Sequence, residues 1–215
     1  MSRAILIMGE SGSGKTTSLR NLNPKETYFI DCDGKGLSWR GWREQYNGTN
    51  KNYIKTTEVE KIKEYTKNIS SKCPKIKYII IDTLNSIMIA DEVRRSKEKG
   101  FDKWVDLANC IYDIVTSASD LRDDLTVICT AHTQTEIDDT TGERFTRMLT
   151  NGKKLNKIGI EKYFTTVFLA KRDADGNFIF ETQANNSTAK TPLGAFEIET
   201  IPNDIAEAMK ILKDY

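Results

Sequence analysis

The chain has 215 residues, with 32 Lys and Arg against 31 Asp and Glu, giving a formal net charge of +1 at pH 7. This near-neutral charge excludes a global field that attracts nucleic acid or anionic lipid, so any such site must be a local patch. The length fits one hydrophobic core, which predicts a single domain over residues 1–215. The apolar runs are only strand-sized and the 4 cysteines lie far apart. We therefore expect a cytoplasmic protein with reduced thiols and no membrane span.

Short apolar runs alternate with longer amphipathic segments, which predicts an α/β fold with a mainly parallel central sheet flanked by helices. Strands are expected at residues 4–8, 27–31, 77–82, 125–131, 164–170 and 177–182. The last two flank Asp175-Gly176, so the sheet should end in an antiparallel hairpin. Helices are expected at residues 15–22, 58–70, 84–99, 103–122 and 203–213. The charged, weakly periodic residues 135–160 predict a long mobile loop.

The most specific motif follows the first predicted strand directly. It fits the pattern GxxxxGK[ST] and consists of Gly9, Glu10, Ser11, Gly12, Ser13, Gly14, Lys15 and Thr16, with Thr17 next. Glycine permits φ > 0, which lets backbone N–H groups curl around phosphate oxygens. Lys15 can reach the β- and γ-phosphates, Thr16 can bind Mg²⁺, and the helix expected at 15–22 would direct its positive dipole end at the phosphates. The motif predicts a nucleotide triphosphatase that uses ATP and Mg²⁺.

The strand at 77–82 ends in a carboxylate, the second element of such a site. Asp82 is expected to hold Mg²⁺ opposite the loop threonine, although an Asp in this place often only caps the next helix. The next residue, Thr83, is not a second acid, so the group that polarises the attacking water must lie elsewhere. Asp31 and Asp33, after the second strand, are the candidates. We favour Asp33 if its strand neighbours the strand of Asp82; the alternative is a turn without a catalytic role.

Two other enzyme classes share the phosphate loop. Residues 31–34 spell DxxG, and residues 170–173 (AKRD) loosely resemble the guanine-reading NKxD of small GTPases. The DxxG follows the loop too closely to leave room for a switch segment, and the Asn is absent. A P-loop kinase would need an arginine-rich lid, and the sequence shows none. Both classes therefore fit less well than an ATPase.

The order of these motifs resembles the ATPase core of RecA-type recombinases. The chain order is the phosphate loop, then FIDCD, then IIIDTLNSI, and then a strand that ends in His132-Thr-Gln134. This resemblance implies a RecA-like P-loop fold with the catalytic carboxylate at Asp33, where RecA itself has Glu. It also implies a polar sensor at the end of the fourth predicted strand. Gln134 matches best, His132 is the alternative, and a buried hydrogen-bonding role is the plainer interpretation of the histidine.

A closer similarity is to small phage-encoded ATP-binding proteins reduced to this core, some related to single-strand annealing recombinases. The similar segments are GESGSGKTTSLRNL, EKGFDKW, DLRDDL, TAHTQ and TAKTPLGAFE, which together span nearly the whole chain. The similarity implies action on single-stranded DNA in phage recombination, repair or replication, in the cytoplasm of a bacterial host. Phage or host recombination proteins would be partners. The oligomerisation arm and C-terminal domain of RecA have no counterpart, so long filaments and strand exchange are not implied.

Basic residues in the expected 135–160 loop are the candidate DNA contacts: Arg144, Arg147, Lys153, Lys154 and Lys157. Such side chains neutralise the phosphates of single-stranded DNA. Acidic residues dilute this charge, and a solvated surface is the alternative. A second class of function therefore stays open, a scaffolding protein that uses ATP to switch its assembly and touches no DNA.

The sequence shows no second cation close to the phosphate loop. In the RecA-type family a basic residue of the neighbouring subunit completes the ATP site and stabilises the transition state. That resemblance implies a head-to-tail ring or short filament of this chain. Lys190 is the first candidate for the cation supplied in trans, and Arg172 is the second.

Overall fold

The computed structural model describes residues 3–98, 102–137, 140–150 and 159–215. Its strands are β1 (Arg3–Gly9), β2 (Thr27–Asp31), β3 (Tyr53–Lys55), β4 (Tyr78–Asp82), β5 (Thr126–Ile137), β6 (Arg144–Met148), β7 (Thr166–Arg172), β8 (Phe178–Glu181) and β9 (Thr200–Pro202). Its α-helices are α1 (Trp42–Gln45), α2 (Val59–Lys72), α3 (Leu84–Arg94), α4 (Asp102–Ser117) and α5 (Ile205–Leu212). None of the helices in these ranges is long and apolar enough to cross a bilayer.

The strands form one sheet in the order β3-β2-β4-β5-β1-β7-β8-β9, with β6 attached to β5. Strands β3 to β7 along this order pair in parallel, and β8 and β9 extend the sheet antiparallel. The expected fold class is therefore confirmed, including its antiparallel C-terminal strands. Strand β2 lies beside β4, and β5 separates β4 from β1. The carboxyl ends of β1, β2, β4 and β5 share one edge of the sheet, where α/β proteins place their ligands.

Side chains of successive strand residues belong alternately to two apolar cores, one on each face of the sheet. In β1, Leu6 belongs to the core packed by α2, α3 and α4, whereas Ile5 and Ile7 belong to the core packed by α5. All three side chains are fully buried. Burial on both faces explains why the parallel strands appear in the sequence as continuous apolar runs. It also fixes their register rigidly, since a slip by one residue would exchange the two cores.

The expected loop at 135–160 is wrong in its first part, which is a β-hairpin. Strand β5 continues to Ile137 and pairs antiparallel with β6, with Thr135 opposite Thr146 and Ile137 opposite Arg144. This hairpin projects beyond the core, so side chains on both of its faces are largely exposed and the sequence shows no apolar alternation. Residues 151–158 lie outside the described ranges. The short strands β3 and β9 were likewise not expected, because three residues give no periodic signal.

The expected helix at 15–22 is also wrong. Ser18 N donates to Gly14 O at 2.9 Å, but the next bonds span three residues, and only Thr17–Leu19 forms a 3₁₀ turn. Asn23 and Pro24 follow at once, and both residue types oppose helix continuation. The dipole of a long helix therefore does not contribute to phosphate binding at this loop. The N–H groups of the loop itself are the groups that would attract the phosphates.

Candidate nucleotide site

The phosphate loop leaves β1 at the carboxyl edge of the sheet and turns through two glycines with positive φ. Gly12 has φ +78° and Gly14 has φ +93°, conformations that L side chains rarely adopt. A Cβ at Gly9 would lie 2.4 Å from Ser13 Oγ, and one at Gly14 would lie 2.9 Å from a ring carbon of Phe178. Glycine is thus required by dihedral angle at Gly12, by space at Gly9, and by both at Gly14. The loop borders a cavity of about 160 Å³ whose other walls include Lys35, Ser38, Thr83 and His132.

Lys15 lies inside the curl of this loop. Its Nζ donates to Gly9 O at 2.8 Å and to Glu10 O at 2.7 Å, so the ammonium group is fixed at the mouth of the cavity. Burial lowers its pKa to about 8, against the opposing attraction of Asp82. The hydrogen-bond partners of this buried cation are neutral groups, so it attracts an incoming anion strongly, because few solvent molecules screen the attraction. This is the electrostatic requirement of a triphosphate site.

Asp82 and Thr16 meet as the motifs predict. Thr16 Oγ1 donates to Asp82 Oδ2 at 2.9 Å, and Thr130 Oγ1 bonds the other carboxylate oxygen. Burial raises the pKa of Asp82, and the two threonine bonds oppose that rise. Paired hydroxyl and carboxylate oxygens are donors that Mg²⁺ accepts. The described ranges contain no group of three or more His, Cys, Asp or Glu side chains that could hold a metal ion. Mg²⁺ at nucleotide sites characteristically takes its remaining ligands from phosphate and water.

Asp33 follows β2 by two residues and bonds to Thr83 and Lys35, two of the residues that line the same cavity. Its Oδ1 accepts hydrogen bonds from Thr83 Oγ1 at 3.1 Å and from Ser86 Oγ, and its Oδ2 pairs with Lys35. Burial alone would raise the pKa of Asp33, but the bonds from Lys35 and Ser86 outweigh burial and lower it. The carboxylate is therefore charged at neutral pH and is suited to orienting a water molecule. The adjacency of β2 and β4, on which its assignment depended, is present.

Asp31 has a different environment, inside the turn that follows β2. Its oxygens accept from Gly34 N at 2.7 Å, Gly36 N at 2.9 Å and Tyr53 Oη at 2.6 Å. The side chain is buried and its acceptor sites are used by these three donors. Asp31 thus holds the turn that presents Asp33, and of the two carboxylates only Asp33 adjoins the cavity through its partners Thr83 and Lys35.

The structure separates the two sensor candidates. His132 pairs with Gly9 at the last position of the β1–β5 ladder, and its Nδ1 lies 3.4 Å from Lys15 Nζ. Burial and the adjacent ammonium group lower the pKa of His132, which keeps the imidazole neutral at pH 7. Gln134 lies two residues farther along β5, in the hairpin, and its Nε2 donates to Glu136 at 3.1 Å. The geometry therefore favours His132, the alternative candidate, over Gln134.

Arg172 borders the loop from the end of β7, within the same chain. It lines a second cavity, of about 600 Å³, together with Glu10, Ser11, Gly12 and Ser13. Its guanidinium lies 4.4 Å from the ring centre of Phe178. Lys190, by contrast, donates to Lys162 O at 3.4 Å and is not among the described lining residues of either cavity. The expectation that no further cation lies near the loop is wrong, since Arg172 and Lys35 are both there.

The candidate DNA contacts fall partly on the hairpin. Arg144 is exposed at the start of β6. Arg147 lies 3.7 Å from Glu136 and packs over the ring of Phe145 at 5.9 Å. Lys153, Lys154 and Lys157 lie outside the described residues. The hairpin thus presents two arginines and one aromatic ring at the edge of the sheet that carries the phosphate loop.

Several residues of the site were not expected from the sequence. Lys35, Ser86 and Thr130 bond the two site carboxylates, and Phe178 contacts the loop at Gly14. Lys35 carried a signal, because it stands two residues after Asp33 in the DCDGK segment. Phe178 carried none, because it reaches the loop only through the pairing of β7 with β8.

Matched substitutions separate the two carboxylates after β2. Asp31→Asn turns an acceptor oxygen into a donor facing other donors, so urea denaturation should show about 2 kcal/mol less stability. Asp33→Asn keeps the fold and should lower kcat for ATP hydrolysis by about 10²-fold with little change in KM. Wild-type kcat in folded Asp33→Asn would contradict its assignment.

A second pair of substitutions separates the sensor candidates. His132→Ala removes the side chain beside Lys15 and should reduce kcat for ATP about tenfold or more, as loss of one oriented polar group does. Gln134→Ala, on the projecting hairpin, should retain kcat within about twofold, as expected for a surface change. Steady-state phosphate release measures both. The reverse ranking would restore Gln134 as the sensor.

Comparison with known families agrees with this geometry. A family model described as an AAA domain matches residues 1–193, a range that contains the phosphate loop, Asp33, Asp82 and His132. A comparison with curated proteins finds no match. The family match covers most of the chain and is independent of the side-chain distances. The chain belongs to the AAA domain family of P-loop ATPases.

Proposed function

We propose that this protein binds Mg²⁺·ATP, hydrolyses it, and couples turnover to single-stranded DNA in phage recombination, repair or replication. The observation that carries the nucleotide part is the 2.9 Å contact between Thr16 and Asp82, beside the curl that encloses Lys15. Two distant sequence motifs meet there in the relation that phosphoryl transfer needs. The AAA domain match supports ATPase activity.

Different residues of the chain have different roles in hydrolysis. The N–H groups of residues 12–17 and the Lys15 ammonium bind and orient the phosphates, which lowers the entropic part of the barrier. Mg²⁺, when held by Thr16 and Asp82, supplies charge neutralisation at the phosphate oxygens. Asp33 accepts a hydrogen bond from the attacking water and orients it. Its low pKa makes it a weak proton acceptor, so orientation is its main contribution, and the proton leaves with the phosphate product.

Cations around the cavity stabilise the charge that develops in the transition state. Lys15 does so from the loop. Arg172 can act from β7 of the same chain or from that of a neighbour, since it is exposed at the rim. We retain a head-to-tail oligomer in the proposal on the strength of the RecA-type resemblance. In this oligomer Lys190 could act only on the nucleotide site of a neighbouring subunit, because Lys190 lies away from the phosphate loop of its own chain.

The DNA part of the proposal rests on the resemblance and on the hairpin. Arg144 and Arg147 are basic, Phe145 is exposed, and base stacking on an aromatic ring with arginine on the phosphates is how sequence-independent strand binding works. The hairpin continues β5, which also carries His132, so a strand bound there has a short covalent path to the γ-phosphate site. Coupling through β5 would make turnover depend on DNA.

The nucleotide site is tested by Lys15→Ala. Loss of the buried ammonium should weaken Mg²⁺·ATP binding about 10–100-fold in calorimetry while the fold survives, because a charge-assisted hydrogen bond is lost. Lys61→Ala, an exposed lysine paired with Glu58 on α2, is the matched control and should bind ATP normally. Unchanged affinity in folded Lys15→Ala would refute the site.

The DNA proposal is tested by titrating fluorescent single-stranded DNA with and without Mg²⁺·ATP. Arg144→Ala with Arg147→Ala should weaken binding of all sequences alike and reduce the salt dependence by about one to two units of slope. Lys153→Ala with Lys154→Ala should act in the same way, and Lys61→Ala with Lys210→Ala is the control for charge alone.

Equal affinity and equal slope in both test pairs would move the DNA site elsewhere. Absence of DNA binding in the wild type, together with ATP turnover that rises with protein concentration, would favour the scaffolding alternative.

A further inference from the structure

The side chain of Asn203 is buried against the phosphate loop without a hydrogen-bond partner. It is 4% exposed, and its Oδ1 lies 3.1 Å from the position that a Cβ on Gly14 would occupy. Within the described residues, four buried side-chain polar atoms have no partner. Three of them are Ser13 Oγ and both amide atoms of Asn203. Unsatisfied buried polar atoms are rare in native proteins, and their concentration at one loop points to a function.

The backbone of Asn203 is held in place by hydrogen bonds to β8 and to Arg20. Asn203 N donates to Phe178 O at 3.2 Å, and Arg20 donates to Asn203 O at 3.2 Å and to Thr17 O at 3.0 Å. The next residue, Asp204, accepts from Ala206 N and caps α5. Through α5 the segment is anchored in the apolar core, where Ile205 is fully buried. The amide is thus presented to Gly14 from a rigid support.

A phosphate cradle imposes a requirement on the opposite side of its backbone. When the N–H groups of consecutive residues turn toward a phosphate, the carbonyl groups of the same peptides turn outward and need donors. Gly14 O already accepts from Ser18 N. Asn203 lies beside Gly14, which a peptide bond joins to Ser13, and an Asn side chain offers both a donor and an acceptor.

We propose that Asn203 is a positioning residue for the phosphate loop, whose amide bonds the Ser13–Gly14 peptide when the loop closes on a nucleotide. This inference rests on the proposed ATP site and deepens it. Nucleotide binding would then give the amide a hydrogen-bond partner. Because the unpaired amide destabilises the nucleotide-free protein, it shifts the equilibrium toward the nucleotide-bound form. The residue belongs to segment 194–215, beyond the region matched by the AAA domain model. The C-terminal segment therefore contributes to nucleotide affinity without contacting the nucleotide.

The test uses a near-isosteric apolar substitution. A structural role of Asn203 predicts that this substitution lowers the melting temperature, whereas the proposed role predicts that it raises it. Asn203→Leu removes two unpaired polar atoms, so the melting temperature of the nucleotide-free protein should rise by about 2–4 °C. Affinity for Mg²⁺ with a non-hydrolysable ATP analogue should fall about tenfold, since a bond made only in the complex is lost. Differential scanning fluorimetry and calorimetry measure the two quantities on the full chain.

Asn52→Leu is the matched control. Asn52 is 5% exposed, but its amide is satisfied by Pro24 O at 3.0 Å, Gln45 O at 2.8 Å and Asn47 N at 3.1 Å. This substitution should lower the melting temperature and leave the affinity for the analogue unchanged.

Four results would decide against the proposal or its basis. An unchanged dissociation constant in Asn203→Leu overturns it, and so does a lowered melting temperature, which would mean that the amide is already satisfied in the free protein. If Leu does not fold at this position, Asn203→Ser removes the amide with less bulk, and wild-type affinity in that variant overturns the proposal equally. Failure of the wild type to bind the analogue would instead refute the ATP site itself.

Discussion

The buried carboxylate of Asp82 is the constraint around which the rest of the site is arranged. A charge at 1% exposure is unfavourable unless hydrogen bonds or opposite charges compensate it. Thr16 and Thr130 donate to its two oxygens, and they come from the phosphate loop and from β5. The carboxylate therefore ties three neighbouring strands, β1, β5 and β4, at the edge where the nucleotide must lie. A cation bound there replaces a hydroxyl hydrogen bond with a full charge, so the fold itself favours metal binding.

The phosphate loop and the turn after β2 lie on two sides of the cavity near that carboxylate, and each is held by its own hydrogen bonds. Lys15 is fixed by carbonyl groups of the loop, and Asp33 is fixed by Lys35, Thr83 and Ser86. Asp31 supports the turn after β2 without facing the cavity. Two lysines, Lys15 and Lys35, line the gap of about 160 Å³. The carboxylates of Asp82 and Asp33 bond to the lining residues Thr16 and Lys35. A magnesium triphosphate, which carries both signs, is the ligand that such a lining complements.

Prediction from sequence succeeded where one physical effect dominated. Parallel strands buried on both faces gave unmistakable apolar runs, and β2 was located to the residue. The phosphate loop was predicted because a turn with positive φ at Gly12 and Gly14 requires glycine at fixed spacing. Prediction failed at the β5–β6 hairpin, whose exposed faces carry no alternation, and at residues 15–22, where a helix gave way to a 3₁₀ turn. Gln134 was preferred on the resemblance to RecA-type cores, because the sequence does not show where a strand ladder ends. The β1–β5 pairing ends at His132, and Gln134 is not among the described lining residues of either cavity beside the loop.

The C-terminal strands explain how the site depends on residues far along the chain. Phe178 on β8 contacts Gly14, and Arg20 bonds the backbone on either side of the contact between loop and C-terminal segment. These contacts exist because β7 pairs with β1 on the side opposite β5, which brings the antiparallel extension beside the loop. The 3₁₀ turn after the loop is too short to be stable by itself. The packing of α5 against this turn, and of Phe178 beside Gly14, supplies support that a longer helix would otherwise provide.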